Sequence, residues 1–247
     1  MASRSPLPSP PPLAELLSAG PVALFLDFDG TLVGIAPRPG DIHVPDGLAG
    51  ALHKLHDRLA GRLALVSGRA LDDLQAHLGE VAIARAGSHG ASRFLATGER
   101  LGEAPSGLPE KAVADLRAFA ARNDLFYETK SHGGALHFRG QAKKAEATLS
   151  FARKVAEAHH LIVTSGKGVA ELVRPGANKG AALDAFMAIE PFAGSIPVFI
   201  GDDVTDEDGM RAAIEFSGFG IAVGERDSEA ARYHLKDVEA VHNWLKL

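Results

Sequence analysis

The sequence predicts an α/β protein, a parallel-sheet core with a smaller α+β unit inserted into it. Three observations lead there. Short runs that are apolar on both faces, at Val22–Leu26, Leu63–Val66, Val81–Ala86, Ile196–Ile200 and Phe219–Val223, read as strands buried in a parallel sheet. Helical periodicity separates these runs, most plainly at Leu48, Leu52, Leu55 and Leu59. From about Leu108 to Val173 the pattern changes to α-β-β-α-β-β, an antiparallel unit of small-domain size.

In chain order, residues 1–19 open with MASRSPLPSPPPL, whose prolines and serines suggest a disordered or extended tail. Leu13 to Ala19 form a short helix leading into the first strand. The Pro- and Gly-rich stretch after Thr31 suits a loop or small hairpin. A helix follows from Asp46, its expected N-cap, and another spans Leu71–Leu78. Arg93–Thr97 and Arg100–Leu101 add a hairpin. The inserted unit holds helices at Glu110–Arg122 and Gln141–His160. Its strands are Leu125–Lys130 and Ala135–Arg139, joined at His132-Gly133-Gly134, then Leu161–Ser165 and Val169–Val173. Helices at Lys179–Ile189, Asp206–Phe216 and Val238–Leu245 complete the chain. The expected organisation is a tail at 1–19, a core at 20–107 and 174–247, and an inserted domain at 108–173.

Composition narrows the chemistry. The formal net charge is -5, against general nucleic-acid binding, which wants a basic surface. With no cysteine, disulfides, thiolate catalysis and Cys-based zinc sites are excluded. No apolar run approaches membrane-spanning length, and the N-terminus lacks the apolar segment of a secretory signal. A cytoplasmic monomer without nucleic-acid or membrane partners is the expectation.

The chemistry-bearing residues cluster at strand ends. Asp27-Phe28-Asp29-Gly30-Thr31 ends the first strand, and strand alternation puts Asp27 and Asp29 on one side. Two carboxylates so close repel unless a cation relieves them, which predicts a hard divalent ion, Mg²⁺, bound with a phosphate. Gly30 allows close approach of the backbone and Thr31 adds a hydroxyl. Ser67-Gly68-Arg69 ends the second strand at a helix start, where a hydroxyl suits a phosphate oxygen or simply caps the helix. Asn178-Lys179-Gly180 opens a helix, so Lys179 can meet a phosphate or face solvent. Asp202, Asp203 and Asp206 follow IPVFI. Metal ligation explains Asp202 and Asp203 better than helix capping does, whereas capping accounts well for Asp206.

In this order the four pieces, DFDGT, SGR, NKG and GDDVTDED, resemble the haloacid-dehalogenase-like (HAD) phosphotransferase superfamily, with its Rossmann-like core. The resemblance implies Asp27 as nucleophile and Asp29 as general acid/base. It places Ser67 and Lys179 on the phosphate with Gly30, Thr31 and Gly68. Asp27, the Asp29 carbonyl and Asp202 would hold Mg²⁺, with Asp203 or Asp206 in support. The insertion sits where that superfamily carries its large C2-type cap, which closes over the site and selects the leaving group. Two stretches of the insertion, Glu128-Thr129-Lys130 with His137-Phe138-Arg139, and Lys167 to Pro175, resemble the trehalose-6-phosphate phosphatase family. Gly87 to Ala91, containing His89, resembles that family's glycine-rich loop. By resemblance, Arg69, His89, Glu128, Lys130, Arg139, Lys167, Glu171, Arg174 and Asn178 contact the sugar phosphate. Phe138 departs from the family's frequent Tyr, and Ser92 from its frequent acidic residue. Other capped phosphatases, for sucrose phosphate, mannosyl-phosphoglycerate or a hexose phosphate, share the core pattern, as do phosphomutases. A non-catalytic sugar-phosphate sensor is the reading from a different class.

Overall fold

The computed structural model describes residues 7–36, 39–130, 132–166, 168–176 and 178–247. Two compact units emerge, one comprising the chain up to Glu103 together with Asn178–Leu247, the other Ala104–Ala177.

The first unit is built on a seven-stranded sheet. Its helices α1 (Leu13–Ala19), α2 (Leu48–Arg58), α3 (Leu71–Leu78), α6 (Lys179–Met187), α7 (Asp206–Glu215) and α8 (Val238–Leu245) flank strands β1 (Val22–Leu26), β2 (Leu63–Val66), β3 (Ala84–Gly87), β4 (Ser92–Phe94), β9 (Ile196–Gly201), β10 (Phe219–Val223) and β11 (Ala231–Leu235). The order is β11-β10-β9-β1-β2-β3-β4, parallel throughout except for β4. The two-sided apolarity of β1 has its reason here. Val22, Leu24 and Leu26 join a cluster with α2, α3 and α8, while Ala23 and Phe25 join another with α6 and α7. A strand covered on both faces leaves only its ends to solvent, so polar side chains gather at the carboxyl edge.

Several details depart from the sequence expectation. Asp46 does not cap α2: Gly47 occupies that position in left-handed conformation, without a side-chain hydrogen bond. The third strand begins at Ala84 rather than Val81, because Ala84 is the first residue in register with β2, and the Ala82 N–H donates instead to His53 Nε2. Strand β11 was not anticipated. Among the described residues after Thr31 a 3₁₀ turn at Pro39–Asp41 and a bridge between Asp29 and Val33 occur, but no hairpin.

The proline-rich segment is extended and docked rather than loose from Leu7 onward. The His234 N–H on edge strand β11 donates to the Pro8 carbonyl at 3.0 Å, and Trp244 Nε1 donates to the Pro11 carbonyl at 2.8 Å. Prolines have no amide hydrogen, so a strand edge covered by them offers no row of donors for another chain to pair with. Trp244→Phe removes one of the two hydrogen bonds and should cost about 1 kcal/mol. A thermal melt should show Tm lower by about 2–4 °C, with phosphate release unchanged. An unaltered Tm would mean that the Trp244 hydrogen bond to Pro11 does not stabilise the unit.

The second unit is a four-stranded antiparallel sheet, β5 (Phe126–Thr129), β6 (Gly133–His137), β7 (Ile162–Gly166) and β8 (Val169–Val173), in the order β5-β6-β8-β7. Helices α4 (Glu110–Arg122) and α5 (Ala145–His159) cover one face, packing Leu116, Ala152 and Val155 on Leu136, Ala170 and Leu172. Gly133 and Gly134 lie inside β6, paired with Val173 and Leu172, and not in the turn assigned to them from sequence. Residues 142–144 form a 3₁₀ turn, so the second helix starts later than its apolar pattern suggested.

Candidate active site

Register brings the strand-end acids of the first unit together. Leu26 pairs with Ile200, and the Asp27 N–H donates to the Ile200 carbonyl at 2.9 Å, so Asp27 and Asp202 emerge side by side from β1 and β9. Two glycines make the approach possible. Gly30 has φ +85°, and a Cβ there would lie 2.2 Å from Asp202 Oδ2. At Gly201 a Cβ would lie 2.2 Å from the Asp206 carboxyl carbon. Any larger residue would push these carboxylates out of place.

Lys179, at the start of α6, is 3 % exposed and donates to Asp27 Oδ1 at 2.7 Å and to Asp206 Oδ1 at 2.6 Å. The solvent-facing alternative for this lysine is thereby excluded. Burial alone would favour its neutral form, but Asp206 and Asp27 together raise its pKa and keep it charged. Burial, then the nearby Asp206, pushes the Asp27 carboxyl well above its ordinary range, with Lys179 opposing. Asp202 is pushed up to about 6, by burial first and then by Asp206. Asp206 does not cap α7 as expected. Its Oδ2 accepts the Asp203 N–H at 2.8 Å, and its other oxygen is taken by Lys179.

Asp27, Asp202 and Asp206 can each offer an oxygen within 4.8 Å of the others. When all are ionised, three carboxylates against one ammonium leave an excess of two negative charges, and Asp202 Oδ1 is buried without a hydrogen-bond partner among the described residues. Such an all-oxygen donor set suits a hard divalent cation. Asp203 lies outside this trio: its Oδ1 accepts the Val204 N–H at 2.7 Å.

Around the trio, Ser67 is fully buried, and its Oγ accepts the Arg69 N–H at 3.1 Å. Thr31 is fully buried, with no partner for its hydroxyl among the described residues. Arg69 grips both oxygens of Asp29, at 2.6 and 2.7 Å, and reaches Asp73 on α3 at 2.6 Å. The His89 ring lies so close over Gly68 that a Cβ there would be 2.7 Å from it, and the His89 N–H donates to the Ser67 carbonyl at 3.0 Å. Asn178 caps α6, its side-chain oxygen accepting the Ala181 N–H at 2.7 Å.

The remaining predicted residues belong to the second unit. Glu128, Ala135, Glu171 and Thr164 form one cross-sheet row, on the face opposite Leu136 and Leu172. On this face Lys130 donates to Glu171 at 2.9 Å, His132 Nε2 lies 3.5 Å from Glu171, and His137 pairs with Glu128 at 2.8 Å. Arg139 follows β6, and Arg174 donates to the Gly107 carbonyl at 2.8 Å. Lys167 lies outside the described residues.

Sequence reading missed Asp73, His132, Glu207 and Arg226. Arg226 donates to the carbonyls of Asp202 and Asp203, both at 3.1 Å, and to Glu207 at 2.7 Å. Glu207 is held below the usual carboxylate range: burial opposes this, and hydrogen bonds from Arg226, Ser228 and the Ala230 N–H outweigh it. Only Glu207 carried a signal, as part of the acidic run TDED.

The trehalose-phosphatase family model matches residues 25–239, from within β1 through the remaining strands of both units. The chain belongs to the trehalose-phosphatase family. It is a phosphomonoester hydrolase by that membership. Over 228 residues it is 32% identical to the trehalose-6-phosphate phosphatase of Escherichia coli (strain K12), an alignment covering 91% of this chain and 85% of that protein. A probable trehalose-phosphate phosphatase of Sinorhizobium fredii (strain NBRC 101917 / NGR234) is 36% identical over 206 residues, 82% of this chain and 77% of that one. Among solved structures, the C-terminal domain of C. albicans trehalose-6-phosphate phosphatase superposes with a TM-score of 0.80 at 20% identity, over 99% of this chain and 100% of that one. A haloacid dehalogenase-like hydrolase from Bacteroides thetaiotaomicron gives 0.69 at 18% identity, over 91% and 98%. The fold of this trehalose-phosphatase family member is thus that of the HAD superfamily, and no helix among its described residues is long and apolar enough to cross a membrane.

Proposed function

We propose that the chain hydrolyses trehalose 6-phosphate to trehalose and phosphate, with Mg²⁺, through an aspartyl-phosphate on Asp27. The observation that carries this reading is the buried Lys179 held between Asp27 and Asp206, with Asp202 Oδ1, which has no hydrogen-bond partner among the described residues, beside them. Asp27, Asp202 and Asp206 would hold the cation, together with the Asp29 carbonyl expected from the family pattern. When bound, Mg²⁺ supplies the positive charge that lets a phosphate dianion approach these carboxylates.

In the first step an Asp27 carboxylate oxygen attacks phosphorus. The bond from phosphorus to the sugar oxygen breaks, and that oxygen takes its proton from the Asp29 carboxyl. In the second step Asp29 accepts a proton from water as the water oxygen attacks phosphorus. The acyl-phosphate bond breaks, and Asp27 leaves as carboxylate. Both steps require Asp29 to exchange the Arg69 fork for the reacting oxygens, since both its oxygens are engaged there. Lys179, Ser67, Thr31 and the backbone at Gly30 and Gly68 hold the phosphate. In the inserted unit, proposed as the substrate-selecting cap, Glu128, Lys130 and Glu171 read the sugar hydroxyls. Their mixture of donors and acceptors matches a polyhydroxylated ligand.

Phosphate release with Mg²⁺ is the test, measured on trehalose 6-phosphate, sucrose 6-phosphate, glucose 6-phosphate and mannosyl-phosphoglycerate. Preference for the first by about tenfold or more in kcat/KM is expected, the discrimination available to a site built to hydrogen-bond its ligand. An even spread across the panel would overturn the substrate, and no release from any of them would overturn the reaction.

A further inference from the structure

We infer that Arg226 is a positioning residue for the acidic cluster, acting through the backbone of the turn that carries Asp202. The inference rests on the metal-dependent reading above. The Asp202 carboxylate is pressed against Gly30, and its Oδ1 accepts no hydrogen bond among the described residues. The hydrogen bond on this carboxylate comes from Asp202's own backbone, so its aim follows the backbone of the turn between β9 and α7. That turn has an external tie. Arg226 Nε donates to the Asp202 carbonyl at 3.1 Å and Nη2 to the Asp203 carbonyl at 3.1 Å.

The guanidinium is itself anchored twice. Its Nη2 also donates to Glu207 Oε1 at 2.7 Å, and its Nη1 donates to the Asp227 carbonyl at 2.7 Å. Glu207 in turn accepts from the backbone N–H groups of Glu229, at 3.2 Å, and Ala230, at 2.9 Å, both on Oε2. One planar cation thus ties the acidic turn, the first turn of α7 and the connection from β10 to β11. Each of these segments belongs to the same unit. A fixed fork of five donors reaches three carbonyls and a carboxylate at once, four acceptors where a lysine ammonium has only three N–H donors, all on one nitrogen. Groups that orient a metal ligand from behind commonly change affinity for the ion by 10- to 100-fold when removed.

The test uses Mn²⁺ as a spectroscopic probe, titrated by electron paramagnetic resonance without substrate into the wild-type chain, Arg226→Gln and Arg226→Lys. Wild type should take up the ion. Arg226→Gln should bind it about tenfold or more weakly, and Arg226→Lys should fall between the two. At saturating Mg²⁺ the KM for trehalose 6-phosphate should stay within about twofold of wild type, because the effect belongs to the ion. Mn²⁺ affinity within about twofold of wild type in a folded Arg226→Gln overturns the inference while leaving the reading of the site intact. If Arg226→Gln does not fold, Arg226→Lys decides in the same way, and failure of both to fold assigns Arg226 to stability alone. If wild type itself takes up no Mn²⁺, the metal-dependent reading falls and takes the inference with it.

Discussion

Asp27→Asn is expected to abolish phosphate release, lowering kcat by about 10⁴-fold or more, the scale on which enzymes lose activity when their nucleophile is removed. The amide oxygen of asparagine carries no charge and forms no acyl phosphate, so neither chemical step can begin. The fold should survive. Asn Oδ1 can still accept from Lys179, and burial already disfavours the charged form of Asp27, so a neutral side chain of the same shape is cheap there. Steady-state release at saturating Mg²⁺, a thermal melt and calorimetric binding of trehalose 6-phosphate together make the test. Lost turnover with Tm and binding retained identifies the nucleophile. Turnover within tenfold of wild type would sink that assignment, and binding with no turnover in the wild-type chain would favour a sensor.

The parts of this site visible in the sequence are those that local pattern controls. Apolar runs mark β1 and β9, and a chain leaving a buried strand must place its polar residues at the strand end, so Asp27 and Asp202 were legible as strand-end acids. Their partners were not, because register and not spacing decides them. Asp206 reads as a cap from its place at a helix start, yet its carboxylate is taken by Lys179, 27 residues earlier in the chain. Arg69 reads as a substrate ligand, yet its fork closes on Asp29, 40 residues away. Arg226 sits in a loop with no motif around it. Strand β11, ARYHL, alternates polar and apolar residues at a sheet edge and gives no buried run to find. The proline-rich segment was legible as disordered or extended, but composition is blind to whether its carbonyls face water or, as at Pro8 and Pro11, donors on β11 and α8.

Lys179→Met should be the most destabilising of the substitutions considered. Methionine is unbranched and one atom shorter than lysine and removes the charge, leaving Asp27 and Asp206 facing each other, 4 % and 0 % exposed, with no cation between them. Removing one partner from a buried ion pair costs about 3–5 kcal/mol, because the remaining charge stays desolvated and unpaired. For a chain of this size that corresponds to a fall in Tm of roughly 6–20 °C. The charge count makes a sharper statement. Counted with all three carboxylates ionised, as a bound cation requires them, the cluster has two uncompensated negative charges with Lys179 and three without it, so a divalent cation should stabilise the variant more than it stabilises wild type. Melting both proteins with and without Mg²⁺ measures this directly. A Mg²⁺-induced rise in Tm larger in Lys179→Met than in wild type supports a cation seated among Asp27, Asp202 and Asp206. A smaller rise in the variant would mean that Lys179 builds the cation site by holding the carboxylates in place, its geometric role outweighing its charge.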